Sequence, residues 1–305
     1  MFEVLILGCN RPDNVRKLIE QAISVNAKKI YVHVDYPSYT KDVNEIFSEF
    51  IEMSGDYAKF GYIEFWIEKT NLGAAKSITE SITKAFDQTE SLLILEDDLN
   101  VSNAFFSVGW DILEKFKHDN NYCGFSGFNP FIESTNTTEL FLSNISQTWG
   151  WGTWKTNWED FIAFRETWLS SEDLAKLLEE NTGLTKRQLK FWKRRQSDIE
   201  QLPNHVWDYQ WLIFNLIFNK VSLYPPMSLV ANFGFDNKST IKSRFRNVYS
   251  PKLYDGIVDT PDHYFFHPKL IDDVILKKYY RFNLLWPLNE HIRQFIKRVY
   301  LSIHS

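Results

Sequence analysis

The chain has 305 residues and is 44% hydrophobic, enough for one large α/β domain or two small ones. Its formal charge of -5 argues against a nucleic-acid partner, which usually selects a basic surface, and its two cysteines, Cys9 and Cys123, exclude a disulfide framework. No apolar run is long enough to span a membrane and the amino terminus reads as a strand rather than a signal peptide, so a cytoplasmic protein is expected.

Val4 to Cys9 is an apolar run ending in Asn10-Arg11-Pro12-Asp13, where the proline and the acid signal a helix start. Val15, Leu18, Ile19, Ala22 and Ile23 then recur at helical spacing. Ile30 to Asp35 alternates as a strand stopped by Pro37, and Asn44 to Met53 reads as a helix. Tyr62 to Glu68 alternates again, with Ile63, Phe65 and Ile67 on one face. The turn Asn71-Leu72-Gly73 leads into a helix carrying Ala75, Ile78, Ile82, Ala85 and Phe86. Leu92 to Leu95 is a continuous apolar run, expected in the middle of a parallel sheet, and a helix from Ala104 to Lys117 follows it. This β-α alternation predicts a parallel, doubly wound sheet with right-handed crossovers.

Beyond Tyr122 the pattern changes. Gly124, Gly127 and Pro130 interrupt a short strand and loop, and Thr148 to Trp158 is dense in Trp and Gly. Glu172 to Arg195 is charged and helical, with Leu174, Leu177 and Leu178 on one side, and reads as a surface excursion. Asp208 to Phe218 reads as a buried helix, and Ser228 to Phe235 as a last strand entering a polar loop. No internal repeat or interdomain linker is visible.

The chemistry concentrates at Glu96-Asp97-Asp98, just past the carboxyl end of the apolar strand, where open α/β sheets bind ligands. Adjacent carboxylates repel unless a cation joins them, and Mg²⁺ or Mn²⁺ uses one or two such groups beside phosphate oxygens. A metal–diphosphate site at Asp98, supported by Glu96 and Asp97, stands against a solvated acidic turn capping the next helix. Arg11 and Asp35 end the first two strands, where they can meet a base, ribose or phosphate or simply close their turns. Lys76 sits at a helix amino terminus, a natural phosphate position. In Trp149-Gly150-Trp151-Gly152-Thr153-Trp154, indole faces separated by glycines suit a sugar ring, or form a core corner. Asp208, between Trp207 and Tyr209 at a helix start, is either a general base or a first-turn acid. Asn232-Phe233-Gly234-Phe235-Asp236-Asn237 leads into Lys238, Lys242, Arg244 and Arg246, a basic loop able to close over a diphosphate.

Asn10-Arg11-Pro12, Asn71-Leu72-Gly73 followed by Lys76-Ser77, and Leu95-Glu96-Asp97-Asp98 together resemble the GT-A-fold nucleotide-sugar glycosyltransferases. Gly127-Phe128-Asn129, the Trp149–Trp154 stretch and Asn232–Asp236 resemble bacterial sugar transferases of surface-polysaccharide loci. The order Glu-Asp-Asp, Gly-Trp, Trp-Asp, Pro-x-x-Ser also resembles the inverting N-acetylglucosaminyltransferase I family. The resemblance implies a GT-A-type, Rossmann-like, mostly parallel α/β sheet flanked by helices over residues 1–245, with a nucleotide-binding half (1–120) and an acceptor-binding half (121–245). Residues 246–305 would form a helical extension. It implies Asp98 as ligand of Mn²⁺ or Mg²⁺, with Glu96 and Asp97 on the ribose and sugar. Arg11, Asp35 and Lys76 fall near the base and phosphates, and Asp208 matches the base that deprotonates the acceptor. Trp149, Gly150, Trp151, Gly152, Trp154, Asp236 and Lys242 match substrate-binding positions. The implied donor is a nucleotide-diphosphate sugar, a UDP-sugar first, and the acceptor a glycan or lipid-linked glycan. Gly152 and Tyr209 depart from residues usual in these families. Two alternatives stay open. A sugar-nucleotide nucleotidyltransferase would carry a glycine-rich phosphate loop near the amino terminus, where this chain has only Gly8. The other alternative is a non-catalytic carbohydrate-binding protein on the same fold.

From Lys277 to Arg298 aromatic and basic residues mix, with Glu290 the one acid. That pattern fits a helix lying on the inner membrane face, or a helix packed on the domain or on a second copy. If it meets the membrane, the full chain co-sediments with anionic vesicles and a version truncated before Lys277 does not. Equal binding, or none by either, rules the membrane role out.

Overall fold

The structure, a computed structural model, describes residues 2–38, 42–129, 140–167, 171–181, 184, 186, 188–193, 207–234 and 253. The first half follows the expected alternation: β1 (Glu3–Gly8), α1 (Pro12–Ser24), β2 (Lys29–Val34), α2 (Val43–Tyr57), β3 (Ile63–Ile67), α3 (Ala74–Phe86), β4 (Ser91–Glu96) and α4 (Asn103–Phe116). Between β4 and α4 stands an unexpected short strand, β5 (Leu99–Val101). The second half contributes β6 (Tyr122–Ser126), β7 (Phe141–Ser143), β8 (Trp151–Trp154), α5 (Lys155–Glu166), α6 (Ser171–Asn181), α7 (Trp207–Ile217), β9 (Val221–Tyr224) and β10 (Val230–Asn232).

An eight-stranded sheet runs in the order β3-β2-β1-β4-β8-β6-β9-β7. Strands β1 to β4, β6 and β9 point one way, while β8 and β7 oppose them. The protein is therefore α/β with a mostly parallel sheet. β4 is central, but its neighbours differ: β1 is parallel to it and β8 antiparallel.

Alternate residues of a strand face opposite sides, so a strand covered on both sides is apolar throughout. Val4, Ile6, Leu93 and Leu95 pack beneath α1, α2 and α4 with Val15, Leu18, Phe50, Phe105 and Ile112. Leu5, Leu7, Leu92 and Ile94 pack on the other side with Ile78, Ile82, Phe161, Trp211 and Phe214 of α3, α5 and α7. Ile63, Phe65 and Ile67 share the first side, as their spacing implies. Helix α7 is apolar almost all round because it is covered almost all round. Its remaining face carries α6, where Leu174 and Leu178 are fully buried against Ile213, Leu216 and Ile217. The charged 171–181 stretch is thus not a mere surface excursion; its leucine side completes a third core.

In its pairing with β9, β6 bulges between Tyr122 and Gly124. Gly124 has φ of 141°, and a Cβ built on it would lie 2.0 Å from the Gly152 carbonyl oxygen. Gly124→Ala should therefore cost about 3 kcal/mol or more, by strain and by the clash together. Gly55, exposed inside α2 with nothing near its added Cβ, supplies the opposite sign. Gly55→Ala should stabilise by about 0.5–1 kcal/mol. Thermal melts of the two variants check both, and a neutral Gly124→Ala would contradict the close approach of β6 and β8.

Candidate functional site

The parallel register of β1 and β4 sets Leu7 beside Glu96, so the turns that follow both strands meet. Asp97 enters the β1–α1 turn. Its Oδ2 accepts the backbone N–H groups of Cys9 (2.8 Å), Asn10 (3.0 Å) and Arg11 (3.2 Å), and its Oδ1 accepts Arg11 Nη1 (3.2 Å). Successive amides at a helix amino terminus form a concavity for an anion, and here the protein supplies the anion itself. Asn14, in the first turn of α1, donates to the Asp97 carbonyl (3.0 Å) and the Leu99 carbonyl (2.9 Å). Both oxygens of Asp97, expected to meet ribose or sugar, are engaged in holding this turn. The Arg11 guanidinium lies between Asp97 and the Phe233 ring, 5.9 Å from the ring centroid.

Asp35 repeats the device one crossover away. Its Oδ1 accepts the N–H of Tyr36 (2.9 Å) and Leu72 (2.8 Å), and its Oδ2 that of Gly73 (3.2 Å) and Asn71 Nδ2 (3.3 Å). It closes the turn into α3 rather than standing open to a base or ribose. Burial pushes its pKa up against the pull of those amides. Lys76 is exposed, pairs with Glu80 at 3.8 Å and lines an open groove along α3 and α5 with Thr83, Lys84 and Arg165. Among the described residues no contact joins it to the acid triplet.

Asp98 differs from its neighbour. Its Oδ1 is buried with no hydrogen-bond partner, and its Oδ2 receives a long donation from Asn232 Nδ2 (3.4 Å). Burial, then repulsion from Asp97, pushes its pKa up to about 6, against the opposing pull of Arg11. Glu96 is pushed well above the carboxylate range by burial first, then by Asp98, Asp97 and Asp208. Asp208, in the first turn of α7, is raised by burial. The fold therefore brings Asp98 and Asp208 each within electrostatic reach of Glu96, and among the described residues Arg11 is the cation that pulls against the rise at Asp98.

Hard divalent cations prefer such oxygen donors, and Mg²⁺ often takes one or two protein carboxylates and completes its shell with phosphate and water. The orphaned Oδ1 of Asp98 fits that use. Among the described residues no three His, Cys, Asp or Glu side chains stand together as a full metal cage.

The Trp-Gly stretch divides between the sheet and the turn before it. Trp151 is 2% exposed and packs among Trp158, Trp207 and Trp211 at centroid distances of 6.3, 5.8 and 5.3 Å. Trp154 is buried, with its Nε1 donating to the Leu113 carbonyl (2.8 Å). Gly152 lies against Leu93 and Leu113. These residues of β8 are covered on both sides of the sheet, so they offer no ring to a sugar. Trp149 precedes the strand, is half-buried and packs on Phe128 at 4.7 Å. Gly150 turns there with φ of 59° against Val230. Asp236, Lys242, the other basic residues of their loop and the segment from Lys277 fall outside the described residues.

Sequence reasoning passed over Asn14, and it named Asn232 and Gly234 as part of a loop motif without a role at Asp98. Asn14 had a signal, since it occupies the inward register of α1 with Leu18 and Gln21, and Gln21 Nε2 likewise donates to the Val101 carbonyl (3.0 Å). The cysteine thiols are held neutral by burial, Cys9 at about 12 and Cys123 at about 11.

No family model and no curated protein matches the chain. Among solved structures it is similar to a mannose-1-phosphate geranyltransferase from Thermus thermophilus, with 11% identity, 74% of each chain covered and a TM-score of 0.33. It is also similar to a structure named as a glucose-1-phosphate thymidylyltransferase from Bacillus anthracis, in complex with a sucrose. There the identity is 8%, the coverage 84% of this chain and 97% of that one, and the TM-score 0.35. Neither is named as a glycosyltransferase, and the second name is of the nucleotidyltransferase kind. At such TM-scores the likeness carries no argument about activity, and the α/β class rests on the sheet itself. No helix among the described residues is long and apolar enough to cross a membrane.

The charge imbalance is measurable. The folded-state pKa of Asp98 rises from 3.8 to about 6, so between those values the folded chain binds more protons than the unfolded one. Its stability then falls as pH rises through that window. Asp98→Asn removes the cost, and the metal-free variant should melt a few degrees above wild type near pH 7.5. One pKa unit is about 1.4 kcal/mol, so the gain is about 1–3 kcal/mol, shrinking as pH falls from about 6 towards 4. A variant that melts lower than wild type near pH 7.5 would contradict the imbalance.

Proposed function

We propose that the protein is a divalent-metal-dependent, inverting glycosyltransferase. It moves a sugar from a nucleotide-diphosphate sugar, a UDP-sugar first, to a hydroxyl of a glycan or lipid-linked glycan in surface-polysaccharide synthesis. The observation that carries this reading is the buried, unpartnered Oδ1 of Asp98 just past the carboxyl end of β4, beside Glu96, whose charge Asp208 also reaches.

In this reading Asp98 holds Mn²⁺ or Mg²⁺, which when bound offsets the charge that builds on the leaving diphosphate. Asp208 accepts the acceptor's hydroxyl proton, and its raised pKa brings it nearer to neutrality, where a general base works best. Attack from the side opposite the diphosphate inverts the anomeric configuration. Glu96, pushed towards its protonated form, is left to hydrogen-bond a ribose or sugar hydroxyl. Trp149, backed by Phe128, is the indole of its stretch that keeps an exposed part for the sugar. Asp236 and Lys242 are proposed to meet the donor on resemblance alone.

Nucleotidyl transfer is the second reading, and the names of the solved structures above lean to it without carrying it. It asks the β1–α1 turn to bind phosphate. The three amides that would do so already hold Asp97 Oδ2, which favours glycosyl transfer.

A substrate screen separates the two. Glycosyl transfer releases nucleoside diphosphate from a sugar nucleotide when Mn²⁺ is present and not in chelator, and Asp98→Ala abolishes metal-dependent donor binding. Pyrophosphate release from a nucleoside triphosphate and a sugar 1-phosphate would overturn it. Asp208→Asn should bind donor as before while turnover falls at least about 10²-fold, the lower end for a lost general base. Wild-type turnover in a folded Asp208→Asn protein would remove the base assignment.

A further inference from the structure

We infer that Asn232 is a positioning residue that leaves Asp98 with one oxygen, Oδ1, to offer a divalent cation; this rests on the reading of Asp98 as the metal ligand. The placement begins with topology. β10 pairs antiparallel with β5, and Asn232 lies opposite Leu99, the residue after Asp98. The Phe233 N–H donates to the Asp98 carbonyl at 3.0 Å, so the turn after β10 is tied to the backbone of Asp98 itself.

The side chain of Asn232 is buried and bridges two groups. Its Oδ1 accepts the Gly234 N–H at 2.7 Å, and its Nδ2 points at Asp98 Oδ2, 3.4 Å away. The first bond settles which end of the amide is which: turning it over would lose the Gly234 bond and set oxygen against carboxylate oxygen. Gly234 then closes over the same oxygen, since a Cβ built there would lie 2.0 Å from Asp98 Oδ2. Oδ2 is covered by an amide and a main chain, while Oδ1 is unpartnered. The carboxylate so held would offer a cation one free oxygen, Oδ1.

Groups that orient a ligand carboxylate typically contribute 10- to 100-fold to metal affinity. The test is Mn²⁺ titration of the full chain, followed by the paramagnetic signal of free Mn²⁺, beside a metal-free melt. Asn232→Ala removes both contacts. Asn232→Ser retains an acceptor for the Gly234 N–H but is too short to reach Asp98, so it keeps the turn if the alanine variant unfolds. Both folded variants should bind Mn²⁺ about 10- to 100-fold more weakly than wild type. A purely structural Asn232 would lower the melting midpoint and leave the affinity of the folded protein unchanged. Wild-type affinity in folded Asn232→Ser overturns the inference and leaves the metal assignment standing, whereas no Mn²⁺ binding by wild type overturns both.

Discussion

The site depends on one carboxylate that faces inward. Asp97 Oδ2 gathers three consecutive backbone amides, and Oδ1 takes the Arg11 guanidinium. Hydrogen bonds to a charged group contribute about 1.5–3 kcal/mol each, and the helix amino terminus adds to the attraction. This knot joins the ends of two neighbouring parallel strands, and Asn14 locks the main chain on either side of Asp98 from beneath. With Asp97 turned in, Asp98 is left at the β5–β10 ribbon with no comparable set of donors. Asp35 does for the turn into α3 what Asp97 does for the turn into α1.

The acids at this end of the sheet thus divide by how they are compensated. Asp97 and Asp35 are surrounded by N–H donors and serve the fold. Glu96, Asp98 and Asp208 are half-buried and their pKa values rise, by desolvation at all three and by neighbouring like charges at Glu96 and Asp98. An uncompensated buried charge weakens a fold, so a place where it is tolerated is a candidate for a ligand that completes it. Physical distinction between neighbouring carboxylates comes from their partners, since the side chains themselves are nearly identical.

The aromatic excess has a structural explanation close to the site. Trp151, Trp158, Trp207 and Trp211 form one wall on the α3, α5 and α7 side of the sheet. Trp207 packs on Trp151 at 5.8 Å and on Trp158 at 6.4 Å, so the residue beside Asp208 is anchored in that wall. Trp151, one of the indoles expected to meet sugar, packs on Trp207 and so backs the start of α7, from which Asp208 reaches the charge of Glu96. Rigid backing of this kind is what a precisely placed group needs.

The sequence by itself determined the α/β class, the order of the elements from β1 to α4 and the position of the acid triplet at a strand end. Those features are local: hydrophobic periodicity, turn residues and strand length are written over a few neighbours. It could not distinguish Asp97 from Asp98, because the difference lies in amides contributed from some 86 to 88 residues away. Nor could it tell the buried Trp151 and Trp154 from the half-buried Trp149. That depends on β8 inserting antiparallel between β4 and β6, a non-local pairing with no mark in the run itself. The motif holding Asn232 and Gly234 stood out in the sequence, but not its link to Asp98, which exists only once β10 has paired with β5. Tertiary structure decided which carboxylates are satisfied, because hydrogen-bond partners and burial are set by contacts across the chain rather than along it.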